Sequence, residues 1–287
     1  MFNFKNISAR VGLSIIFILI MVAVLFLARS SLLSRRTLYS LSHYLSGQET
    51  KYVTADLDEL DTTHYIIKYQ PLDSQYAPMV GKTAEEAYTE VTRVFGQEPQ
   101  GKTTIIIYPD TTSLAKSFGW DKNEKALGVY WAGTIRILSP GEWLGDDNME
   151  ASFRKQGPMV HEFAHLLVDD ITKGNYNRWW TEGIAQYVEK KTTGFEFSSP
   201  FTSTEDINYY HFSVLDRNFD ELDQSVAYWQ SLKAVEFISQ KYGEQSLFEI
   251  LDELGQQYTL NQAFEKTLGI NMNTFEQEFA EFVRQNN

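Results

Sequence analysis

The chain has 287 residues, contains no cysteine and carries a net charge of −13, with 43% hydrophobic and 14% aromatic residues. The absence of cysteine excludes a disulfide framework, a thiolate zinc finger, an iron–sulfur cluster and a cysteine nucleophile. The acidic balance argues against a general nucleic-acid-binding protein, which needs a basic surface. The aromatic content favours a packed core over a disordered chain.

The first predicted element is a membrane anchor over residues 11–28, after a short N-terminal tail of residues 1–10. The run has 18 residues without a charge. As a helix it spans about 27 Å, close to the hydrocarbon thickness of a bilayer. The alternatives are a cleaved signal peptide and a buried core helix. Because the run is long for a signal peptide and is followed by a poor cleavage site, an uncleaved single-pass anchor is favoured.

The orientation of this anchor is not decided by charge, because basic residues lie on both sides of it. A short N-terminal tail most often stays in the cytoplasm, which predicts an extracytoplasmic location, at the cell membrane, for the body of the chain. Residues 29–55 are predicted to be a juxtamembrane connector. Its apolar residues recur at helical spacing, so part of it is expected to form a short amphipathic helix near the lipid surface.

Residues 56–287 are predicted to form one α+β domain, with strands in its first half (56–170) and helices alone in its second half (171–287). The predicted strands cover residues 64–70, 103–108 and 127–138, the last of these as a hairpin. The predicted helices cover residues 81–95, 153–170 and 181–191 and most of the chain from residue 225 on, with Gly243, Gly255 and Gly269 as breaks.

The pattern that carries chemistry is His161-Glu162-Phe163-Ala164-His165 in the predicted helix over residues 153–170. On a helix, residues four apart share one face, so the two imidazoles can bind one zinc ion. Glu162 follows the first histidine and can reach a zinc-bound water as general base. The alternative is a surface helix with two solvated histidines, but the flanking residues are almost all apolar, and such a helix would bury uncoordinated polar groups at a cost.

A catalytic zinc site needs a third protein ligand. One class of metalloprotease has a third histidine six residues after the second, where this chain has Ile171, so that class is excluded. Glu182 lies 17 residues after His165, a gap that fits a turn and a second, antiparallel helix. Gly183 would let the backbone approach closely there. The alternative is an ordinary amphipathic helix with one glutamate.

Two polar residues are candidates to orient these ligands. Gln186 lies one turn after Glu182, and Asp169 lies one turn after His165. Either could instead be a surface residue. Asp170 and Glu189 are interpreted as solvated charges.

The segments HEFAH and WWTEGIAQYVE together resemble the gluzincins, the peptidase MA clan of zinc metallohydrolases, and more specifically the bacterial "peptidase MA-like" membrane-associated proteins. The strands, the hairpin and the segment YWQSLKAVEFISQKYG add to this resemblance, which covers roughly residues 60–285. It implies a small mixed sheet with an active-site helix, followed by an all-helical half.

The resemblance also implies one Zn²⁺ per chain, bound by His161, His165 and Glu182, with Glu162 as base. It further implies an edge strand that pairs with an extended peptide substrate. The predicted edge strand consists of Thr134, Ile135, Arg136, Ile137 and Leu138. The chain departs from the family at Gln186, a position that is often acidic in such enzymes, which puts full catalytic activity in doubt but not metal binding.

Hydrolysis at such a site needs a second donor for the oxygen that becomes negatively charged. Tyr228 and His211 are the candidates, and each has an alternative role, Tyr228 as a core tyrosine and His211 as part of an aromatic cover.

We therefore expect a membrane-anchored zinc metallopeptidase that acts on a protein or peptide. The lipid contact would be made through residues 11–28, and no nucleic acid is expected as a partner. The alternatives are a catalytically inactive zinc-binding interaction module and a zinc amidohydrolase that acts on cell-wall peptides.

Overall fold

The computed structural model describes residues 35–119, 126–145, 147–202 and 207–286. The predicted tail (1–10) and the predicted membrane anchor (11–28) lie outside these ranges. Within them, none of the helices combines the length and the apolar character that a bilayer crossing requires.

The chain divides into two compact units, Met1–Leu45 and Ser46–Asn287. In the described part of the first unit, residues 35–45 are helical. They belong to helix α1, which comprises Arg35–Val53. A helix in the predicted connector is therefore confirmed.

The second unit contains a five-stranded mixed sheet with the strand order β1-β2-β3-β5-β4. The strands are β1 (Asp58–Asp61), β2 (Tyr65–Tyr69), β3 (Thr103–Tyr108), β4 (Gly128–Trp131) and β5 (Thr134–Leu138). Strands β2, β3 and β5 run parallel to one another, and β1 and β4 are antiparallel to their neighbours. The structure confirms the predicted strands and hairpin. Strand β1 was not predicted, because three of the four residues of its sequence DELD are acidic and exposed.

The predicted edge position of Thr134–Leu138 is wrong. Strand β5 pairs with β3 on one side and with β4 on the other, and all five of its residues are buried. Of the two hairpin strands, β4 is the one at an edge of the sheet. The hairpin turn at Ala132 and Gly133, with φ angles of 42° and 88°, returns the chain so that β4 lies outside β5. Alternation of residue types identifies a hairpin, but it does not say which of the two strands meets a third.

The charged side chain within β5 is accommodated by specific partners. Arg136 is buried, and its Nη1 donates a hydrogen bond of 2.8 Å to the carbonyl oxygen of Ser117. Its guanidinium carbon lies 4.8 Å from the centre of the Phe118 ring, and its Nη2 lies 3.6 Å from Oε2 of Glu49. A cation can therefore occupy an interior strand of this sheet.

After α1, the described residues in the first half of the second unit form four α-helices. They are α2 (Ala77–Phe95), α3 (Thr111–Phe118), α4 (Met149–Gln156) and α5 (Met159–Thr172). Helix α2 packs on β2, and α5 contacts both α2 and the edge strand β4. The single helix predicted over residues 153–170 is divided between α4 and α5, because Pro158 lacks an N–H group and disfavours a helical conformation at Gly157.

The second half is helical, as predicted. Its helices are α6 (Arg178–Thr193), α7 (Phe212–Asn218), α8 (Gln224–Tyr242), α9 (Gln245–Gly255), α10 (Leu260–Leu268) and α11 (Met272–Asn286). Gly243 and Gly269 directly follow helices, and Gly255 ends one, which confirms the three predicted breaks.

Helix α6 packs against α5 on one side and α8 on the other. At Gly183 the approach to α8 is so close that a Cβ atom would lie 2.5 Å from the carbonyl oxygen of Ser231. The absence of a side chain at this position therefore sets the depth at which α6 lies between its neighbours.

Candidate metal centre

Helix α5 places the two histidines of the motif side by side. They are one turn apart, and the Nε2 atoms of His161 and His165 are 3.1 Å from each other. Both rings are partly buried, with 14% and 13% of their side chains exposed.

Helix α6 supplies the third candidate ligand from a buried position. Oε2 of Glu182 lies 3.3 Å from Nε2 of His161 and 3.4 Å from Nε2 of His165. Ligand atoms at about 2.1 Å from a tetrahedral zinc ion are about 3.4 Å from one another, so the separations fit this ion. The predicted metal ligands are thus brought together.

The second nitrogen of each imidazole has its own partner on α6. Nδ1 of His161 lies 3.2 Å from Oε2 of Glu189, and Nδ1 of His165 lies 2.7 Å from Oγ1 of Thr181. When each Nδ1 donates its hydrogen to these oxygens, the lone pair on Nε2 is left free for a metal ion. This is the ring orientation that a zinc site requires.

These two residues differ from those predicted to orient the ligands. Glu189 was interpreted as a solvated charge, which is wrong, since only 5% of it is exposed. Thr181 was not considered. Its position directly before Glu182, inside an otherwise apolar stretch, was the available signal.

The predicted orienting residues contact other groups. Nε2 of Gln186 donates to the backbone oxygens of Glu182 and Tyr228, at 3.2 and 3.0 Å, and so ties α6 to α8. Oδ2 of Asp169 accepts a 2.6 Å hydrogen bond from the hydroxyl of Tyr130 in the edge strand. The predicted roles of Gln186 and Asp169 are therefore corrected, because these hydrogen bonds join backbone oxygens and Tyr130, and not the side chain of a candidate ligand.

The proposed base, Glu162, lies on α5, and its side chain faces the edge strand β4. It is 6% exposed, and its Oε2 accepts a 2.6 Å hydrogen bond from the backbone N–H of Tyr130. Strand β4 comes this close because of Gly128, where a Cβ atom would lie 2.4 Å from Cβ of Pro158 and 3.0 Å from Cγ of Glu162. Burial raises the pKa of the Glu162 carboxyl above its ordinary value.

Charges at the ligand cluster favour a cation between the three side chains. Burial acts to lower the pKa of His161, but hydrogen bonds to Glu182 and Glu189 outweigh it and raise that pKa well above its ordinary value. For Glu182, burial acts to raise the pKa, but the positive charge of His165 and hydrogen bonds to both histidines hold it well below its ordinary value. A divalent cation would supply this positive charge.

A guanidinium completes the surroundings of Glu182. Nε of Arg178, one turn earlier on α6, lies 3.0 Å from Oε1 of Glu182. Arg178 also interacts electrostatically with Tyr228 on α8, and this tyrosine interacts in the same way with Glu182 and Glu162. Burial raises the pKa of Tyr228, so its hydroxyl stays protonated. The predicted candidate Tyr228 is therefore at the site, whereas Arg178 was not predicted.

The other predicted donor, His211, has a surface position. Its side chain is 73% exposed, and its Nδ1 lies 2.8 Å from Oε1 of Glu276 on α11. The ring thus contacts a helix near the end of the chain, and we do not include it in the site.

The sequence profile of the Peptidase MA superfamily matches residues 83–285. The chain belongs to this superfamily. The match includes the histidine motif and Glu182, and also the sheet from β3 on and the helices that follow. Membership in the Peptidase MA superfamily agrees with the predicted gluzincin resemblance. None of the curated proteins matches the chain.

Among solved structures, the chain is similar to M1 zinc metallopeptidases from Deinococcus radiodurans. A mutant form is 14% identical, with a TM-score of 0.43, over 77% of this chain and 50% of that one. A further structure of this enzyme is 15% identical, with a TM-score of 0.41, over 79% and 50%. A mutant bound to a Tyr-Ser-Ala substrate is 13% identical, with a TM-score of 0.37, over 77% and 50%. The chain spans about half the length of these proteins.

Proposed function

We propose that the protein is a zinc-dependent metallopeptidase that hydrolyses peptide bonds in a protein or peptide substrate. The observation that carries this proposal is the convergence of His161, His165 and Glu182, whose ligand atoms all lie within 4.8 Å of one another, with Glu162 beside them. Membership in the Peptidase MA superfamily supports it. When bound, zinc polarises a substrate carbonyl and lowers the pKa of water towards about 7.

Glu162 has the position and the environment of a general base. Glu162 lies on α5 directly after His161, and burial raises the pKa of its carboxyl. It would take a proton from the attacking water and pass that proton to the leaving amine. The backbone N–H of Tyr130 holds Oε2, so the carboxylate has a defined orientation before substrate arrives.

Tyr228 would stabilise the carbonyl oxygen as its negative charge develops. Its charged neighbour Arg178 cannot compete for the hydroxyl hydrogen, because a guanidinium donates hydrogen bonds and does not accept them. The hydroxyl hydrogen of Tyr228 therefore remains available for the substrate.

The edge strand β4 is a suitable place for the substrate backbone. Within the described residues, no strand pairs with the outer side of β4. Strand β4 also contacts α5, the helix that carries His161 and His165. An extended peptide could add there as a further strand, with its scissile bond near Glu162. The substrate strand is thus proposed at β4 and not at β5.

We propose further that residues 11–28 anchor the protein in the cell membrane as a single span, with the catalytic domain on the extracytoplasmic side. The uncharged run of 18 residues supports this. A protease added to intact cells should degrade the domain. Its complete protection, with degradation after lysis, would contradict the orientation.

The chemistry is tested with the full-length chain in detergent, by zinc content and by hydrolysis of a peptide library. Wild type should contain about one zinc per chain, and His161→Ala should lose it. Glu162→Gln should keep the zinc and lose at least about 100-fold in kcat. The matched control is Glu150→Gln, an exposed glutamate of α4 that pairs with Lys82.

The two alternative functions are separate outcomes of this experiment. Zinc binding without hydrolysis, and with ligand binding indifferent to Glu162→Gln, would indicate an interaction module. Cleavage of peptidoglycan fragments but of no peptide in the library would indicate a cell-wall amidohydrolase. A wild-type chain without zinc would overturn the proposal.

A further inference from the structure

The two carboxylate oxygens of Glu182 have different partners. Oε2 lies 3.3 and 3.4 Å from the Nε2 atoms of the two histidines, on the side where a metal ion would bind. Oε1 lies 3.0 Å from Nε of Arg178. One oxygen thus faces the two histidines, and the other faces the guanidinium of Arg178. The pattern of metal ligands alone does not require this arrangement.

This division matters because a carboxylate can bind a metal ion through one oxygen or through two. A catalytic zinc site uses three protein ligands and keeps a position open for water or substrate. If both oxygens of Glu182 turned to the ion, the second would fill that position. The guanidinium beside Oε1 opposes this rotation, since a close ion pair would have to separate.

Arg178 is itself fixed in place from several sides. It lies four residues before Glu182 on α6, a spacing at which side chains meet. It interacts electrostatically with Tyr228 on α8, and its Nε lies 3.9 Å from Oδ1 of Asp220 in the single-turn helix Phe219–Glu221. About half of its side chain is exposed, so the guanidinium lies at the rim of the site.

We propose that Arg178 is a positioning residue that keeps Glu182 a one-oxygen ligand and so preserves an open coordination position. This inference rests on the proposed zinc centre. It assigns a role to a residue that neither binds the metal nor touches the reacting atoms.

The test uses Co²⁺ as a probe in the full-length chain, because the visible absorption of Co²⁺ weakens when its coordination number rises above four. Wild type, Arg178→Ala and Arg178→Lys are loaded with Co²⁺, and spectra are recorded per bound cobalt. The matched control is Arg154→Ala. Arg154 is another half-exposed arginine that pairs with a helix glutamate, at 3.2 Å from Glu86.

Arg178→Ala should bind cobalt but show a weaker visible band, because Oε1 is released to the metal. Arg178→Lys should recover much of the band, since an ammonium group can also hold Oε1. Arg154→Ala should match wild type. If the alanine variant is unfolded by circular dichroism, Arg178→Gln replaces it, because an amide is a weaker donor for the same oxygen.

Two outcomes would overturn this inference alone. One is a wild-type spectrum in a folded Arg178→Ala chain. The other is loss of cobalt from that chain, because Arg178 would then be needed for binding itself. A wild-type chain that takes up neither cobalt nor zinc would overturn the proposed function, and this inference with it.

Discussion

The carboxylate of Glu189 lies 3.2 Å from Nδ1 of His161, so the partner of the first histidine comes from two turns beyond Glu182 on helix α6. The residue one turn beyond, Gln186, instead ties α6 to the backbone of α8. The amide at residue 186 therefore does not leave His161 without an acidic partner, because Glu189 supplies the carboxylate. The doubt that Gln186 raised about activity loses its physical basis.

We predict that Glu189→Ala weakens zinc binding by about 10- to 100-fold, the usual effect of removing the hydrogen-bond acceptor of a ligating histidine. Gln186→Leu, on the same helix, should leave the zinc affinity unchanged. The measurement is competition for zinc with a chromophoric chelator. Equal affinities in the two variants would contradict the assignment of Glu189.

Tyr228→Phe should lower kcat by about 100- to 1,000-fold, because one donor to the developing negative charge is removed. Zinc content and KM should change little. Tyr187→Phe is the control, since the hydroxyl of Tyr187 contacts Ser239 and Glu244. Steady-state kinetics on a cleaved peptide would check this, and a Tyr228→Phe chain with wild-type kcat would exclude Tyr228 as the donor.

Gly183→Ala should destabilise the protein by about 1–3 kcal/mol, because the new methyl group meets the backbone of α8 at Ser231, which cannot move aside as a side chain would. Gly47→Ala is the contrasting variant. Gly47 lies inside α1, and nothing is within 4 Å of a Cβ atom there, so this change should stabilise by about 0.5–1 kcal/mol. Denaturation curves should show opposite shifts. Shifts of the same sign would contradict the close contact of α6 and α8.

Glu85→Gln should destabilise the protein in a pH-dependent way. Oε1 of Glu85 accepts a 2.8 Å hydrogen bond from the backbone N–H of His64, and Oε2 lies 2.5 Å from its Nδ1. Burial acts to raise the pKa of Glu85, but hydrogen bonds from His64 and Thr62 outweigh it and lower the pKa below its ordinary value of 4.5.

Because the folded-state pKa of Glu85 is depressed, its stabilisation is present above the unfolded-state pKa and is lost as pH falls through the folded-state value. Glu85→Gln should therefore cost about 1 kcal/mol at neutral pH and less in acid below the depressed pKa. Denaturation at several pH values would check this, with the exposed Glu249→Gln as control. A cost that stays constant into acid would show that the charge of Glu85 does not contribute.

The predictions that succeeded were those of local geometry. The spacing of His161 and His165 specifies one helix face wherever the helix lies, and the structure places their Nε2 atoms 3.1 Å apart. The strands and the glycine breaks of the helical half were likewise visible in runs of a few residues. Glu182 was predicted because a catalytic zinc site needs a third protein ligand, and its separation from His165 along the chain suits a helical hairpin.

The predictions that failed concern the way elements meet. The partners of the histidines depend on which face of α6 is turned towards α5, and the packing of Gly183 against α8 determines that rotation. The same rotation brings Thr181 and Glu189 to the imidazoles and directs Gln186 to a backbone carbonyl. These residues look alike in sequence, as polar positions on one amphipathic helix.

The sequence by itself determined the candidate ligand set, the proposed base and the α+β order of the elements, because each of these follows from residue type and short-range periodicity. Only the tertiary structure decided that β4, not β5, lies at the edge of the sheet, and that Arg178 pairs with Oε1 of Glu182. Both depend on contacts between separate elements. Such contacts arise from how side-chain volumes and buried charges can be accommodated together in three dimensions, and the periodicity of one segment does not specify its neighbour.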